Sequence, residues 1–135
     1  MKIQIEFFKD DLIAAIGAGI YEVSVSKNGR TRPLYIGESV YTIVRCASHL
    51  YRLKNKPEYF GFTKETIDDS EIILSFKFVV SIHDMQNRRA QEKELIKQCK
   101  PINQSGISDR QKGLEERIAA LDDFLKECEK NDCWS

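Results

Sequence analysis

Two tripeptides with a tyrosine at one end, Gly19-Ile20-Tyr21 and Tyr35-Ile36-Gly37, lie in what the sequence predicts to be adjacent strands of a hairpin. Side chains alternate between the two faces of a strand, so the two phenols could share one surface. A phenol can orient or deprotonate a water. With an ordinary pKa of about 10, however, it is a poor base unless a cation stabilises the phenolate.

A helix predicted from Ser39, as its N-cap, to about Lys54 supplies cations. Apolar residues recur along it at helical spacing and predict a packing face formed by Val40, Ile43, Val44, Ala47, Leu50 and Tyr51. At about 100° per residue, the opposite stripe contains Tyr41, Arg45, His49 and Arg52. Taken alone, such a stripe is also typical of an ordinary solvated helix face.

A second helix, predicted over 84–100, carries Glu92. Glu94 lies about 200° away around the helix, whereas Glu92 is on the side expected to pack inward, with Leu95, Ile96 and Cys99. One carboxylate, together with waters and phosphate oxygens, suits Mg²⁺ or Mn²⁺, so Glu92 is the candidate metal ligand. The alternative is a surface glutamate that pairs with Arg88 one turn earlier.

Together these residues resemble the GIY-YIG nuclease family. The two tripeptides match its name-giving motifs, and Arg45 and His49 follow the second tripeptide on the next helix. Glu92 matches the catalytic glutamate of the family, and KPIN at 100–103 ends in Asn103, which resembles its late asparagine. The resemblance covers roughly residues 17–103.

The family's order of elements agrees with the elements predicted from the sequence, whose strand-like runs are 3–8, 20–25, 33–36 and 71–82. The resemblance implies an α/β fold with a small three-stranded, mostly antiparallel sheet flanked by helices. The apolar spacing after residue 108 predicts an extra C-terminal helix beyond it. We divide the chain into an N-terminal extension, the nuclease domain and a C-terminal amphipathic helix, at 1–16, 17–103 and 109–130. The last helix is expected to pack on the domain or to pair with its twin in a homodimer.

The resemblance also implies roles for the central residues. Arg45 would grip the scissile phosphate through its guanidinium fork. Tyr21 would act as the general base or only orient the water. Tyr35 would position that water or the phosphate, or else fill a core edge. His49 would hydrogen-bond to Tyr21 or to phosphate, or be a bystander.

Other residues would play supporting parts. Gly19 and Gly37 fit positions where backbones approach closely, and Asn103 is expected to be a structural hydrogen-bonding residue. Flanking phosphates of the nucleic acid are expected to contact Arg52, Lys54 and Lys56. The alternative is that these three residues form an ordinary solvated helix end.

The sequence departs from the family pattern in two places. The hairpin loop is slightly long. In addition, Glu38 follows the second tripeptide, where many relatives carry lysine or a polar amide. Its charge would weaken substrate binding or help to hold a metal.

Composition sets the remaining limits. The 135 residues amount to one domain, with 21 basic and 21 acidic residues, so net charge does not indicate a polyanion partner. Segment 27–57, however, carries a net charge of +6, which suits a basic face or a segregated solvated surface. No stretch suits a membrane span or a signal peptide, so we expect a cytoplasmic protein. A thiol or zinc protein using Cys128 and Cys133 has only the proximity of those two residues in its favour.

The sequence therefore predicts a small Mg²⁺- or Mn²⁺-dependent DNA endonuclease. Such an enzyme would be selective for DNA structure, weakly selective for sequence, or dependent on a protein partner for its specificity. The alternative is a catalytically inactive nucleic-acid-binding or scaffold protein that retains the fold.

Overall fold

The computed structural model of the protein describes residues 1–104 and 113–132. The predicted α/β class is confirmed. The strands are β1 (Gln4–Phe7), β2 (Gly19–Lys27), β3 (Arg30–Ser39) and β4 (Ile73–Ser81). The helices of the described part are α1 (Thr42–Asn55), α2 (Met85–Cys99) and α3 (Leu114–Asp132). Short 3-10 helices span Ala14–Ile16, Pro57–Tyr59 and Thr66–Asp68.

The sheet has four strands in the order β1-β4-β2-β3, so the prediction of a three-stranded, mostly antiparallel sheet is wrong. Strand β2 runs antiparallel to both β3 and β4, whereas β1 runs parallel to β4. The additional strand lies within segment 1–16, which the sequence analysis sets apart as an extension. Its pairing depends on a partner almost 70 residues away, Gln4 opposite Ile73, and no local pattern reports such a pairing.

Strands β2 and β3 meet in a tight turn at Asn28-Gly29. Both residues have positive φ, 53° and 79°, as a type I′ turn requires, and Lys27 pairs directly with Arg30. The predicted long loop is therefore wrong. The extra residues lengthen the strands instead, with a register shift between Val23 and Ser24.

Helix α1 packs with a face that is shifted from the predicted one. Its buried residues are Thr42, Cys46, His49 and Leu53, which recur at helical spacing. Of the side chains that hydropathy assigned to the core, Ile43 and Leu50 are partly buried against it, whereas Val40, Val44 and Tyr51 are 52%, 64% and 71% exposed. The reason is a histidine: hydropathy counts imidazole as polar, but here both ring nitrogens have buried hydrogen-bond partners and the ring enters the core.

Helix α2 begins and ends close to the predicted positions. The Oδ2 atom of Asp84 accepts a hydrogen bond from the Asn87 N–H at 2.8 Å, which caps the helix. Lys100 closes it in the left-handed region, with φ of 48°, directly before Pro101.

Helix α3 packs against the core of its own chain, where Leu121, Phe124, Leu125 and Cys128 are buried. The buried Nζ of Lys27 donates to Asp69 at 2.8 Å and to Glu129 at 3.0 Å, which ties the helix to the hairpin. The predicted helix start at 109 and Cys133 lie outside the described residues. Pairing of this helix in a homodimer stays a prediction. No helix in the described ranges combines the length and apolarity needed to cross a membrane.

Candidate active site

Tyr21 and Tyr35 lie on the same face of the hairpin, as the alternation predicts. Tyr21 is opposite Gly37 and Tyr35 is opposite Val23, so the two tyrosines are diagonal neighbours. Their ring centroids are 6.1 Å apart, and both side chains are buried. The hairpin thus brings the two phenols together at the protein interior rather than on an open surface.

Two glycines make room for this arrangement. A Cβ atom at Gly37 would overlap the hydroxyl of Tyr21 and lie 2.9 Å from the ring of Tyr35. A Cβ atom at Gly19 would overlap the carbonyl oxygen of Val80 and the ring of Phe78. Both positions therefore exclude a side chain for reasons of space, in agreement with the predicted close approach.

This crowding gives a first prediction. Gly37→Ala should lower the free energy of unfolding by about 1–3 kcal/mol and displace the Tyr21 phenol, since the added methyl group enters a packed site. Chemical denaturation measures the stability and tyrosine NMR signals report the displacement. Gly113→Ala is the matched control, because a Cβ atom there meets open space. Equal stability of the two variants would contradict the packing described here.

His49 is the centre of a buried hydrogen-bond chain. Its Nε2 atom lies 2.7 Å from the Tyr21 hydroxyl, and its Nδ1 atom lies 3.1 Å from the hydroxyl of Tyr59. The imidazole also stacks on the Tyr59 ring, with centroids 5.8 Å apart. Of the alternatives for His49, hydrogen bonding to Tyr21 is therefore the one observed.

Sequence reasoning missed Tyr59. It lies on the short 3-10 helix Pro57–Tyr59, in the polar segment after α1 for which the sequence predicts neither a helix nor a strand. The one available signal is the aromatic pair Tyr59-Phe60 within that polar stretch, which indicates a loop anchored in the core.

The imidazole of His49 is neutral in the folded protein. Burial lowers the pKa of His49 to about 3, and the charges of Arg45 and Arg52 act in the same direction. A neutral imidazole has one donor and one acceptor, so His49 accepts one of the two hydrogen bonds and donates the other. Either Tyr21 donates to His49, which donates to Tyr59, or both bonds are reversed. In the first arrangement the lone pairs of the Tyr21 oxygen remain able to accept from a water.

The lowered pKa predicts a pH-dependent stability. Unfolded His49 takes up a proton below its ordinary pKa of about 6.5, whereas the folded protein does not until about pH 3. The unfolded state therefore binds more protons, and the free energy of unfolding should fall by about 2 kcal/mol between pH 7 and pH 5. Denaturant titrations at several pH values measure this slope.

The chain contains one other histidine, the exposed His83, which provides the control. His49→Gln should remove most of the slope over this interval, although it lowers stability at every pH, while His83→Gln should leave the slope in place. A His49→Gln protein with the wild-type slope would show that the imidazole is not the group responsible.

The phenol of Tyr21 is protonated in this environment. Burial raises its pKa, and the neighbouring Tyr35 adds to the effect. The half-buried guanidinium of Arg45 lies beside the Tyr21 phenol and opposes the rise without cancelling it. A phenolate at Tyr21 would therefore require more positive charge than Arg45 supplies.

Opposite charges from two helices act on the phenol of Tyr35. Burial is the main reason that its pKa is raised, while the Arg45 charge lowers it and the Glu92 carboxylate raises it. Arg45 is on α1 and Glu92 is on α2, so residues of both helices affect the protonation of this phenol. The charge of Arg45 thus acts on both Tyr21 and Tyr35, and the charge of Glu92 acts on Tyr35.

Glu38 is engaged with α2. Its Oε2 atom accepts a hydrogen bond from Nε of Arg88 at 2.5 Å, and the guanidinium of Arg88 also donates to the carbonyl groups of Ile82 and His83. The exposed Arg89 adds a longer contact of 3.7 Å. The alternative in which Arg88 pairs with Glu92 is therefore wrong, because Arg88 is buried against Glu38. The same contact compensates the negative charge of Glu38 beside the proposed phosphate site.

Glu92, the predicted metal ligand, is not engaged by a basic side chain of the described residues. Its side chain is half-buried. Burial and the charge of Glu38 raise the pKa of Glu92, while the backbone N–H of Glu38 opposes the rise. Within residues 1–104 and 113–132, no group of three or more His, Cys, Asp and Glu could hold a metal ion. A Mg²⁺ or Mn²⁺ site at Glu92 therefore stays a prediction.

Asn103 has a structural position. Its buried Nδ2 atom donates to the carbonyl groups of Phe60 and Arg117, at 2.7 and 3.2 Å. Its backbone N–H donates to Leu34 at 3.0 Å, so the segment after α2 continues along the edge of β3. Asn103 therefore joins the hairpin, the 57–62 segment and α3, as its predicted structural role requires.

The predicted DNA contacts at the end of α1 lie outside this buried group. Arg52, Lys54 and Lys56 are all exposed. The guanidinium carbon of Arg52 lies 5.5 Å from the centroid of the Tyr59 ring, and this cation–π contact links the exposed helix end to the buried hydrogen bonds of His49.

No family model matches the sequence, and no curated protein and no solved structure matches it either. The resemblance to the GIY-YIG family therefore depends on the residues and geometry given above.

Proposed function

We propose that this protein is a metal-dependent DNA endonuclease of the GIY-YIG type, which hydrolyses phosphodiester bonds. The observation that carries the proposal is the pair Tyr21 and Tyr35, whose ring centroids are 6.1 Å apart, together with the opposite charges of Arg45 and Glu92 that both act on the phenol of Tyr35. Hydrolysis of a phosphodiester requires a positioned water, positive charge on the phosphoryl oxygens and stabilisation of the leaving oxygen. One residue of this group suits each requirement.

Arg45 binds the non-bridging oxygens of the scissile phosphate, since its planar fork matches two oxygens and stays charged at every working pH. Tyr21, held by His49 at 2.7 Å, accepts a hydrogen bond from the attacking water and orients it. A general-base role for Tyr21 would require a cation to lower its raised pKa, because His49, with its pKa lowered to about 3, cannot keep the proton. Tyr35 positions the water or the phosphate beside it.

Glu92 would hold the Mg²⁺ or Mn²⁺ ion. When bound, such a cation supplies Lewis-acid stabilisation of the charge that develops on the leaving oxygen. Because Arg88 is engaged with Glu38, the carboxylate of Glu92 is left for the cation. We expect the enzyme to act on DNA in the cytoplasm, alone or with a protein partner that supplies specificity.

The second candidate is a catalytically inactive nucleic-acid-binding or scaffold protein. The observation that favours it is the burial of both phenols, since Tyr21 is 0% and Tyr35 is 4% exposed. An active enzyme must bring a water and a phosphate to side chains that the free protein covers. The two candidates therefore differ in cleavage, whereas both predict DNA binding that weakens with salt.

The test is a panel of end-labelled linear, branched and flapped DNAs incubated with the wild-type protein in Mg²⁺, Mn²⁺ or EDTA. The nuclease proposal predicts cutting in either metal and none in EDTA. If a folded protein binds these DNAs but cuts none of them, the proposal of a nuclease that acts alone is wrong, and the inactive alternative or an enzyme that requires its partner is favoured.

A further inference from the structure

A cavity of about 440 Å³ lies at the C-terminal end of α1, where the Pro57–Tyr59 turn meets the start of α3. Its volume is within the range of sites that bind small molecules or single nucleotides. We call it the α1–α3 cleft. The lining residues used below are Tyr51, Arg52, Lys56, Tyr59 and Arg117.

The cleft contains three cations without counter-ions. Arg52, Lys56 and Arg117 form no ion pair with any residue in the two described ranges. Like charges around one concave surface repel each other, and an anion bound between them relieves that repulsion. Arg117 is held in place, because its Nη1 atom donates to the carbonyl of Tyr59 at 3.2 Å. A guanidinium fixed in this way loses less freedom on binding than an unrestrained surface cation does.

An exposed aromatic ring completes the cleft. Tyr51 lines the cleft and is 71% exposed, so its ring is open to a stacking partner. Bases of unpaired nucleotides stack on such rings, and a positively charged groove beside them holds the phosphates. In a duplex the faces of the bases are covered by neighbouring bases. The phosphates of duplex DNA could therefore pair with the cations, but no base could stack on Tyr51.

The cleft adjoins the proposed catalytic group. Tyr59 lines the cleft, and its hydroxyl lies 3.1 Å from Nδ1 of His49, which contacts Tyr21 through its other nitrogen. A strand bound at Tyr21 and Arg45 could therefore continue into the cleft within a short distance.

We propose that the α1–α3 cleft binds one unpaired nucleotide of the DNA substrate, with its base on Tyr51 and its phosphate held by Arg52, Lys56 and Arg117. The cleft proposal rests on the proposed function, because that function makes DNA the ligand. The consequence is a preference for DNA with a single-stranded extension over fully paired DNA.

The test is equilibrium binding by fluorescence anisotropy in EDTA, so that no strand is cut. The probes are a labelled blunt duplex and the same duplex with a short single-stranded extension. Wild type should bind the extended DNA about tenfold more tightly than the blunt DNA. Tyr51→Ala should remove most of that preference while leaving binding to the blunt duplex nearly unchanged, and its exposed position keeps the fold intact.

Two further variants separate the cleft from general charge. Lys56→Ala should weaken binding to the extended DNA several-fold more than Lys54→Ala, since Lys54 is an exposed cation two residues earlier in the chain that does not line the cleft. Tyr41→Ala, which removes another exposed tyrosine near the other end of α1, should leave the preference unchanged. Both comparisons avoid Arg117, whose contact with Tyr59 also supports the local structure.

Equal binding to the two DNAs, or a preference that survives Tyr51→Ala, would overturn the cleft proposal and leave the nuclease proposal standing. A preference that depends on Tyr51, in a protein that cuts no DNA, would support the cleft and refute the nuclease. The failures of the two proposals are thus distinguishable.

Discussion

Replacing Glu92 by glutamine is expected to reduce metal-dependent cleavage by about a thousandfold or more. The amide keeps the size and shape of the side chain but removes the negative charge that a hard cation requires. No cluster of acidic, histidine or cysteine residues in the described part of the chain could take over the metal. Glu38, whose charge acts on Glu92, is bound to Arg88. Single-turnover rates with excess protein over DNA measure this loss without interference from product release.

Glu94→Gln is the matched control, because Glu94 is an exposed glutamate on the same helix. It should cut DNA at a rate close to that of wild type. Glu92→Gln should keep the wild-type melting temperature and should bind DNA in EDTA at least as tightly, since it loses a negative charge near the substrate. Cleavage by Glu92→Gln within a few-fold of wild type would exclude Glu92 as the metal ligand.

The second large effect is expected at Arg45. Arg45→Lys should lower kcat by about a hundredfold and raise KM much less, because lysine keeps the charge but loses the fork that follows the phosphoryl oxygens into the transition state. Arg45 also opposes the raised pKa of Tyr21, and a more mobile ammonium would do so less effectively.

Arg52→Lys supplies the comparison for this substitution. Arg52 is an exposed arginine of the same helix, and its replacement should alter KM more than kcat. An Arg45→Lys protein with wild-type kcat would mean that a positive charge alone is sufficient at this position. Equal effects of the two substitutions on kcat would show that Arg45 has no special place in the site.

Sequence alone predicts the elements that have local signals. The Asn28-Gly29 pair fixes the hairpin turn, and the Asp84 side chain caps α2 within three residues of itself. Alternation along β2 and β3 places Tyr21 and Tyr35 on one face, because register follows from the turn. The motif residues on the hairpin therefore come together as predicted.

Contacts between residues distant in the chain could not be predicted. The parallel pairing of β1 with β4, the ion pair between Glu38 and Arg88, and the contact of His49 with Tyr59 each depend on how whole elements pack. The shifted packing face of α1 has the same origin. Hydropathy scales class the imidazole of His49 as polar, and its burial is favourable only because the phenols of Tyr21 and Tyr59, from two other segments, form hydrogen bonds with it.

The most direct test of the account is the initial rate of supercoiled plasmid nicking by the wild-type protein and by Glu92→Gln, each in Mg²⁺ and in EDTA. The account predicts nicking by wild type in Mg²⁺ alone, and background in the other three conditions. Absence of nicking by a folded, DNA-binding wild-type protein, or equal nicking by the two proteins, would contradict it.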